Sequence, residues 1–192
     1  MSPCPIPSAL AAPTARSSCA VPTDIDAGQI AQAFVIGNQR TFDEDPRFGL
    51  IALSEIASRA LSPGINDPGT AIDVIGTMVR LFTRWSEPVE EHDLQPGECD
   101  RVAVPEISLR DMFEDAFRPI ARDGAGTIEV AVRLQKAFES LATIEDATMR
   151  DVAIQHARWA LDRAENTLEF PNDLEVARKC AEFAMTETSA QG

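Results

Sequence analysis

Residues 62–68, which read SPGINDP, constrain the fold of this chain more than any other segment. Apolar residues recur at helical spacing on both sides of this short segment. The stripe before it contains Leu50, Leu53, Ala57 and Leu61, and the stripe after it contains Ala71, Ile75, Met78, Phe82 and Trp85. Two amphipathic helices joined by so short a connection predict a tight αα-hairpin.

The connection carries a helix-terminating signal at its start and a helix-starting signal at its end. Pro63 disfavours the helical conformation in the residue before it, and Gly64 is expected to adopt the left-handed conformation that ends a helix. Asn66 or Asp67 then supplies a side chain that caps the next helix, and Pro68 can occupy its first position. The corner residues with a backbone role are Ser62, Pro63, Gly64 and Pro68.

Most of the remaining chain also shows helical periodicity. A first helix is predicted after Asp24, with Ile30, Phe34 and Val35 on it, and Asp45-Pro46 begins the second. A helix is predicted to begin at Ser108 and to be cut short by Pro119 and Gly124. Further helices are predicted to begin at Thr127, to span about 144–168, and to begin at Pro171. The only plausible strand is the short run 101–104. The sequence therefore predicts an all-α bundle of about six to seven helices with at most one very short strand.

Domain boundaries follow from composition. The proline-rich residues 1–23 are interpreted as a disordered leader, residues 24–186 as one helical domain, and residues 187–192 as a disordered tail. No stretch approaches the ~20 apolar residues that cross a bilayer. The four cysteines are too widely spread for a zinc ribbon or a disulfide scaffold. A cytoplasmic location is expected for the chain as it stands.

The charge balance limits the possible partners. The chain has 17 basic and 31 acidic residues, a net charge of −14. Such a surface repels phosphate backbones and anionic lipid headgroups. We therefore expect neither nucleic-acid binding nor unaided docking onto a membrane.

The corner is also the main candidate for a binding site. Amides at the start of the following helix point outward and favour anions. The candidate binding residues are Arg40, Asp45, Arg59, Asn66 and Asp67. The alternative, which the residues favour, is that these positions only shape the corner.

Other candidates have stronger structural interpretations. His156 lies beside a predicted apolar stripe, where a half-buried, hydrogen-bonded packing role is expected, and Trp85 and Trp159 are expected in the core or an interface. The loop with His92 and Cys99, and the acids 43–45, are interpreted as solvated or helix-capping. No catalytic residue, metal or cofactor is predicted.

The phrases RTFDEDPRFG at 40–49 and ALSPGINDPGTA at 60–71 resemble the signature of DUF2254, a family of predicted bacterial membrane proteins. A weaker similarity lies in RVAVPEISLRDMFEDAF at 101–117. The resemblance implies transmembrane helices ahead of a helical domain of this kind, and it implies no catalytic residue. Because a leader replaces those helices here, we expect a truncated gene, a misplaced start or a soluble relative.

The resulting hypothesis is a non-catalytic helical domain that serves assembly, sensing or gating in a membrane protein. The alternative is an enzyme or a small anion-binding domain that uses the corner residues. A domain that normally packs against membrane helices should keep an apolar face. We expect this face near Phe34, where it would mediate self-association or binding of a protein partner.

Overall fold

The computed structural model describes residues 45–88 and 107–186. Seven helices contain 78% of these described residues, and no strand occurs among them, which confirms the all-α prediction. The helices are α1 (Pro46–Ala60), α2 (Pro68–Trp85), α3 (Leu109–Asp123), α4 (Ile128–Ala142), α5 (Ala147–Glu165), α6 (Pro171–Cys180) and α7 (Glu182–Thr186). The predicted first helix, the strand at 101–104 and the face near Phe34 lie outside the described residues. The one-domain interpretation of residues 24–186 stays a prediction.

Helices α1 and α2 form the predicted hairpin and contact each other. Ala57, Ile75 and Met78 are fully buried, and Leu53 packs against the core from a partly buried position. The Asp67 amide donates to the Ala60 carbonyl at 2.8 Å, so the chain closes the corner immediately after α1 ends.

The five long helices form a closed ring of contacts. α1 packs on α2 and α3, α4 packs on α2 and α5, and α3 packs on α5. Each helix turns its apolar stripe inward, so the ring encloses one hydrophobic core. α6 packs against α4 and α5, and α7 packs against α5.

An aromatic cluster fills the centre of this ring. Phe82 of α2, Phe113 and Phe117 of α3 and Phe138 of α4 are buried, with ring centroids 4.5–5.5 Å apart in the contacting pairs. Tilted and edge-to-face rings at such distances add to the free energy of burial. The cluster therefore links three helices that are distant in sequence.

Two local predictions were wrong. Gly64 does not have a positive φ; Asn66 has the left-handed conformation instead, with φ of 51°. Asparagine tolerates this conformation better than most side chains do, so glycine was not required. Pro119 lies inside α3 and does not end it. Burial of Phe117 and Ile120 beside it offsets the cost of an interior proline, roughly 3 kcal/mol.

Two helix boundaries also differ from the sequence pattern. The helix predicted over about 144–168 is α5, which begins only after its capping residue Asp146, whose side chain accepts from the Met149 amide. The helix predicted from Pro171 breaks at Ala181 into α6 and α7. Gly124 ends α3, where an added Cβ would lie 2.5 Å from the Val130 Cγ1 atom, so a side chain has no room there.

Asp67 supplies the expected cap of α2. Its carboxylate accepts from the Thr70 amide at 3.2 Å and from the Thr70 hydroxyl at 2.6 Å. Asp67→Ala should therefore lower the melting temperature of the chain by roughly 2–4 °C, because both bonds are lost. Asp73→Ala is the control, since it removes an exposed acid of the same helix that is not a cap. Equal melting temperatures for the two variants would contradict the capping role.

Candidate functional site

The structure places the corner candidates on the surface. Arg59, Asn66 and Asp67 are exposed, and Asp45 directly precedes α1. Arg40 lies outside the described residues. The Asp67 carboxylate already holds the Thr70 amide, one of those that a bound anion would use. Anion binding at this corner stays a prediction.

A different feature stands out between α3 and α5, where a groove of about 370 Å³ opens to the surface. This volume is at the lower end of small-molecule sites, which span roughly 300–1,000 Å³. We call it the His156 groove; its lining residues are Glu114, Arg118, Ala121, His156, Trp159, Ala160, Asp162 and Arg163.

His156 is the most unusual residue of the groove. Its side chain is only 5% exposed, and its Nε2 atom has no hydrogen-bond partner among the described residues. Leaving a buried polar atom unpaired costs roughly 1–3 kcal/mol. The prediction that His156 is half-buried and hydrogen-bonded was therefore wrong in both respects. The ring is more deeply buried than expected, and its Nε2 atom lacks a partner.

The surroundings of His156 hold its imidazole in the neutral form. The pKa of this group is lowered from 6.5 to about 4, mainly by burial; Glu114 opposes the shift, and the nearby Arg110, Arg118 and Arg163 add to it. At pH 7 one ring nitrogen therefore carries a proton and the other is an acceptor. The imidazole can offer either kind of hydrogen bond to a ligand.

Aromatic contacts fix the position of the ring. The centroid of the His156 ring lies 5.5 Å from that of Phe113 and 6.1 Å from that of Phe138, so the ring packs against the central aromatic cluster. Trp159 contacts it edge to face at 5.2 Å. Because Trp159 is 41% exposed, it does not belong to the core, and its indole offers an apolar surface to the groove.

Arginines surround the groove in an otherwise acidic chain. Arg118 pairs with Glu114 at 3.2 Å, whereas Arg110 donates to the Gln155 side-chain oxygen at 2.6 Å. The half-buried Arg163 side chain makes neither an ion pair nor a hydrogen bond with any described residue. The groove therefore combines two arginines and two acids with a neutral imidazole and an exposed indole.

Sequence reasoning missed most of this site. The sequence pattern singles out His156 and Trp159 but not Glu114, Arg118 or Arg163. The available signal was helical spacing: residues 156, 159, 160 and 163 share one face of α5, and 114 and 118 share one face of α3. Only the contact between α3 and α5 turns these two faces into one groove.

Neither a metal site nor a membrane span is found in the part of the chain that the structure describes. Residues 45–88 and 107–186 contain no cluster of three or more histidine, cysteine or acidic side chains placed to hold a metal ion. No helix in these two ranges combines the length and the apolar character that crossing a bilayer requires. His92, Cys99 and the acids at 43 and 44 lie outside these ranges.

Comparison with known proteins gives a family and short matches. The model of the family described as "Predicted membrane protein (DUF2254)" matches residues 9–140, which include α1, α2 and α3 but not α5. Uncharacterized proteins from Mycobacterium bovis and Mycobacterium tuberculosis are 58% identical to the chain over 40 residues. That stretch is 21% of this chain and only 8% of each relative. No solved structure matches. The family match covers more than half of the sequence, and the chain therefore belongs to the DUF2254 family of predicted membrane proteins.

Proposed function

We propose that this helical unit senses a small molecule on behalf of a membrane protein and does not transform the molecule it binds. The observation that carries the proposal is that His156 lines the groove while its buried Nε2 atom has no hydrogen-bond partner among the described residues. Folded proteins satisfy nearly all buried polar atoms, so each exception calls for a specific explanation. Of the four described residues with such an atom, which are Ser54, Ser58, Gln135 and His156, only His156 lines the groove. A ligand that bonds to Nε2 would remove this cost.

The chemistry of the groove favours binding over catalysis. A general base is most effective when its pKa lies near the working pH, whereas burial lowers the pKa of His156 to about 4. The lining side chains include no hydroxyl or thiol that the imidazole would activate as a nucleophile. Both features suit a hydrogen-bonding role for His156 in the neutral state.

The position of α5 allows occupancy of the groove to affect the rest of the unit. The backbone carbonyl of Ala157, the residue after His156, accepts a hydrogen bond from the Gln135 side chain of α4 at 2.9 Å. Arg158 donates to the Ala184 carbonyl of α7 at 2.9 and 2.6 Å. A ligand that orders α3 and α5 would therefore stabilise α4 and α7 through existing contacts.

The test uses Trp159 as a reporter in the full chain. Because the sequence has two tryptophans, Trp85→Phe leaves Trp159 as the only one. Simple aromatic compounds that are anionic, cationic or neutral are titrated while Trp159 emission and amide hydrogen exchange are followed. We expect at least one compound to change the emission, to slow exchange in α3 and α5, and to be recovered unchanged by chromatography.

Two variants locate the binding. His156→Phe should abolish the response, whereas Asp67→Ala should keep it, because Asp67 lies at the corner and not in the groove. A response that disappears with Asp67→Ala would move the site to the corner. Chemical conversion of the bound compound, or no response to any compound, would overturn the sensing proposal.

A further inference from the structure

The arginines at the His156 groove are only partly neutralised by acids. Of the three that lie near the imidazole, Arg118 alone has a carboxylate partner among the described residues, namely Glu114. Arg110 is bonded to the uncharged Gln155 side chain. The lining itself holds two arginines and two acids, Glu114 and Asp162, so the positive charge exceeds the negative only when Arg110 is included, in a chain with a net charge of −14.

We infer that the groove binds a small organic carboxylate with an apolar, preferably aromatic, body. The inference rests on the proposed sensing function and names the chemical class of its ligand. The carboxylate would pair with the Arg163 guanidinium, whose planar donors match two carboxylate oxygens. The apolar body would lie on the indole of Trp159, which is the exposed aromatic surface of the groove.

The neutral imidazole supplies the third contact. A ligand oxygen that reached the buried Nε2 atom, with its proton on that nitrogen, would accept a hydrogen bond from His156 and so satisfy it. The charge for recognition then comes from arginine, which stays protonated at every physiological pH. One fixed cation and one neutral donor suit a single carboxylate better than they suit a multiply charged phosphate.

A cationic ligand fits the groove less well. The Glu114 carboxylate that would receive it is already bonded to Arg118 at 3.2 Å. Asp162, the other acid of the lining, is exposed and therefore well hydrated. An ammonium group would also lie close to Arg163, where like charges repel.

The test compares three ligands of similar shape: benzoate, benzylamine and benzyl alcohol. Each is titrated into the full chain carrying Trp85→Phe, with Trp159 emission as the readout. Benzoate should bind about tenfold more tightly than benzyl alcohol, the amount expected from one charge-assisted pair, and benzylamine should bind most weakly. Added salt should weaken benzoate binding and leave benzyl alcohol binding unchanged.

Variants of Arg163 test whether its guanidinium provides the positive charge that binds the carboxylate. Arg163→Gln should remove the preference for benzoate, and Arg163→Lys should keep part of it. Arg84→Gln is the matched control, because Arg84 lies on α2 outside the groove. Circular dichroism checks that each variant is folded. If benzyl alcohol or benzylamine binds as tightly as benzoate, the carboxylate inference is overturned while the sensing groove stands. If none of the three binds, the sensing proposal falls with it.

Discussion

Replacing Phe117 by alanine is expected to lower the free energy of unfolding by about 3–5 kcal/mol. Phe117 is fully buried at the centre of the ring of helices. Its ring stacks on Phe82 at 5.5 Å, tilts against Phe113 at 5.2 Å and meets Phe138 edge to face at 5.0 Å. Removal of the ring leaves a cavity that three helices cannot close without moving, so the loss should be near the upper end of the range.

Phe170→Ala is the matched control for this prediction. Phe170 directly precedes α6, and its side chain is 62% exposed. The same deletion of atoms there should change the free energy of unfolding by only about 0.5 kcal/mol. Urea denaturation of both variants measures the difference. Similar losses for the two variants would contradict the central position of Phe117.

The hairpin could be predicted from sequence because its signals are local. Pro63 and Pro68 restrict the backbone on both sides of the corner, and the apolar stripes fix which face of each helix is buried. The prediction failed where two residues of the corner could satisfy the same geometry. Gly64 and Asn66 both tolerate a positive φ, and local pattern alone does not choose between them.

The groove could not be predicted in the same way, because it is formed by helices that are distant in sequence. Periodicity places His156 beside an apolar stripe, but it does not reveal that α3 packs there with Arg118 and Glu114. Burial of the imidazole is likewise a property of the assembled ring, since Phe113 and Phe138 come from two other helices. Local sequence therefore indicated the corner as the site, whereas tertiary packing produced the groove.

Acidification is expected to destabilise the fold through His156. Burial lowers the pKa of this imidazole from 6.5 to about 4. Below pH 6.5 the unfolded chain therefore binds a proton that the folded chain does not bind, so stability decreases as the pH falls towards 4. At 1.36 kcal/mol per pH unit, the free energy of unfolding should fall by about 2 kcal/mol at pH 5 and by about 3 kcal/mol at pH 4.

His156→Phe isolates this contribution, because it keeps every carboxylate, including Glu114, which faces the ring together with Arg110, Arg118 and Arg163. The variant should be about 1 kcal/mol more stable than the natural chain at pH 7.5, since the unpartnered Nε2 is gone. Its advantage should grow by about 3 kcal/mol between pH 7.5 and pH 4 in urea denaturation. Parallel pH curves for the two proteins would show that the imidazole titrates normally in the fold. A variant that is more stable and yet no longer binds benzoate would identify His156 as a residue retained for ligand binding at the expense of stability.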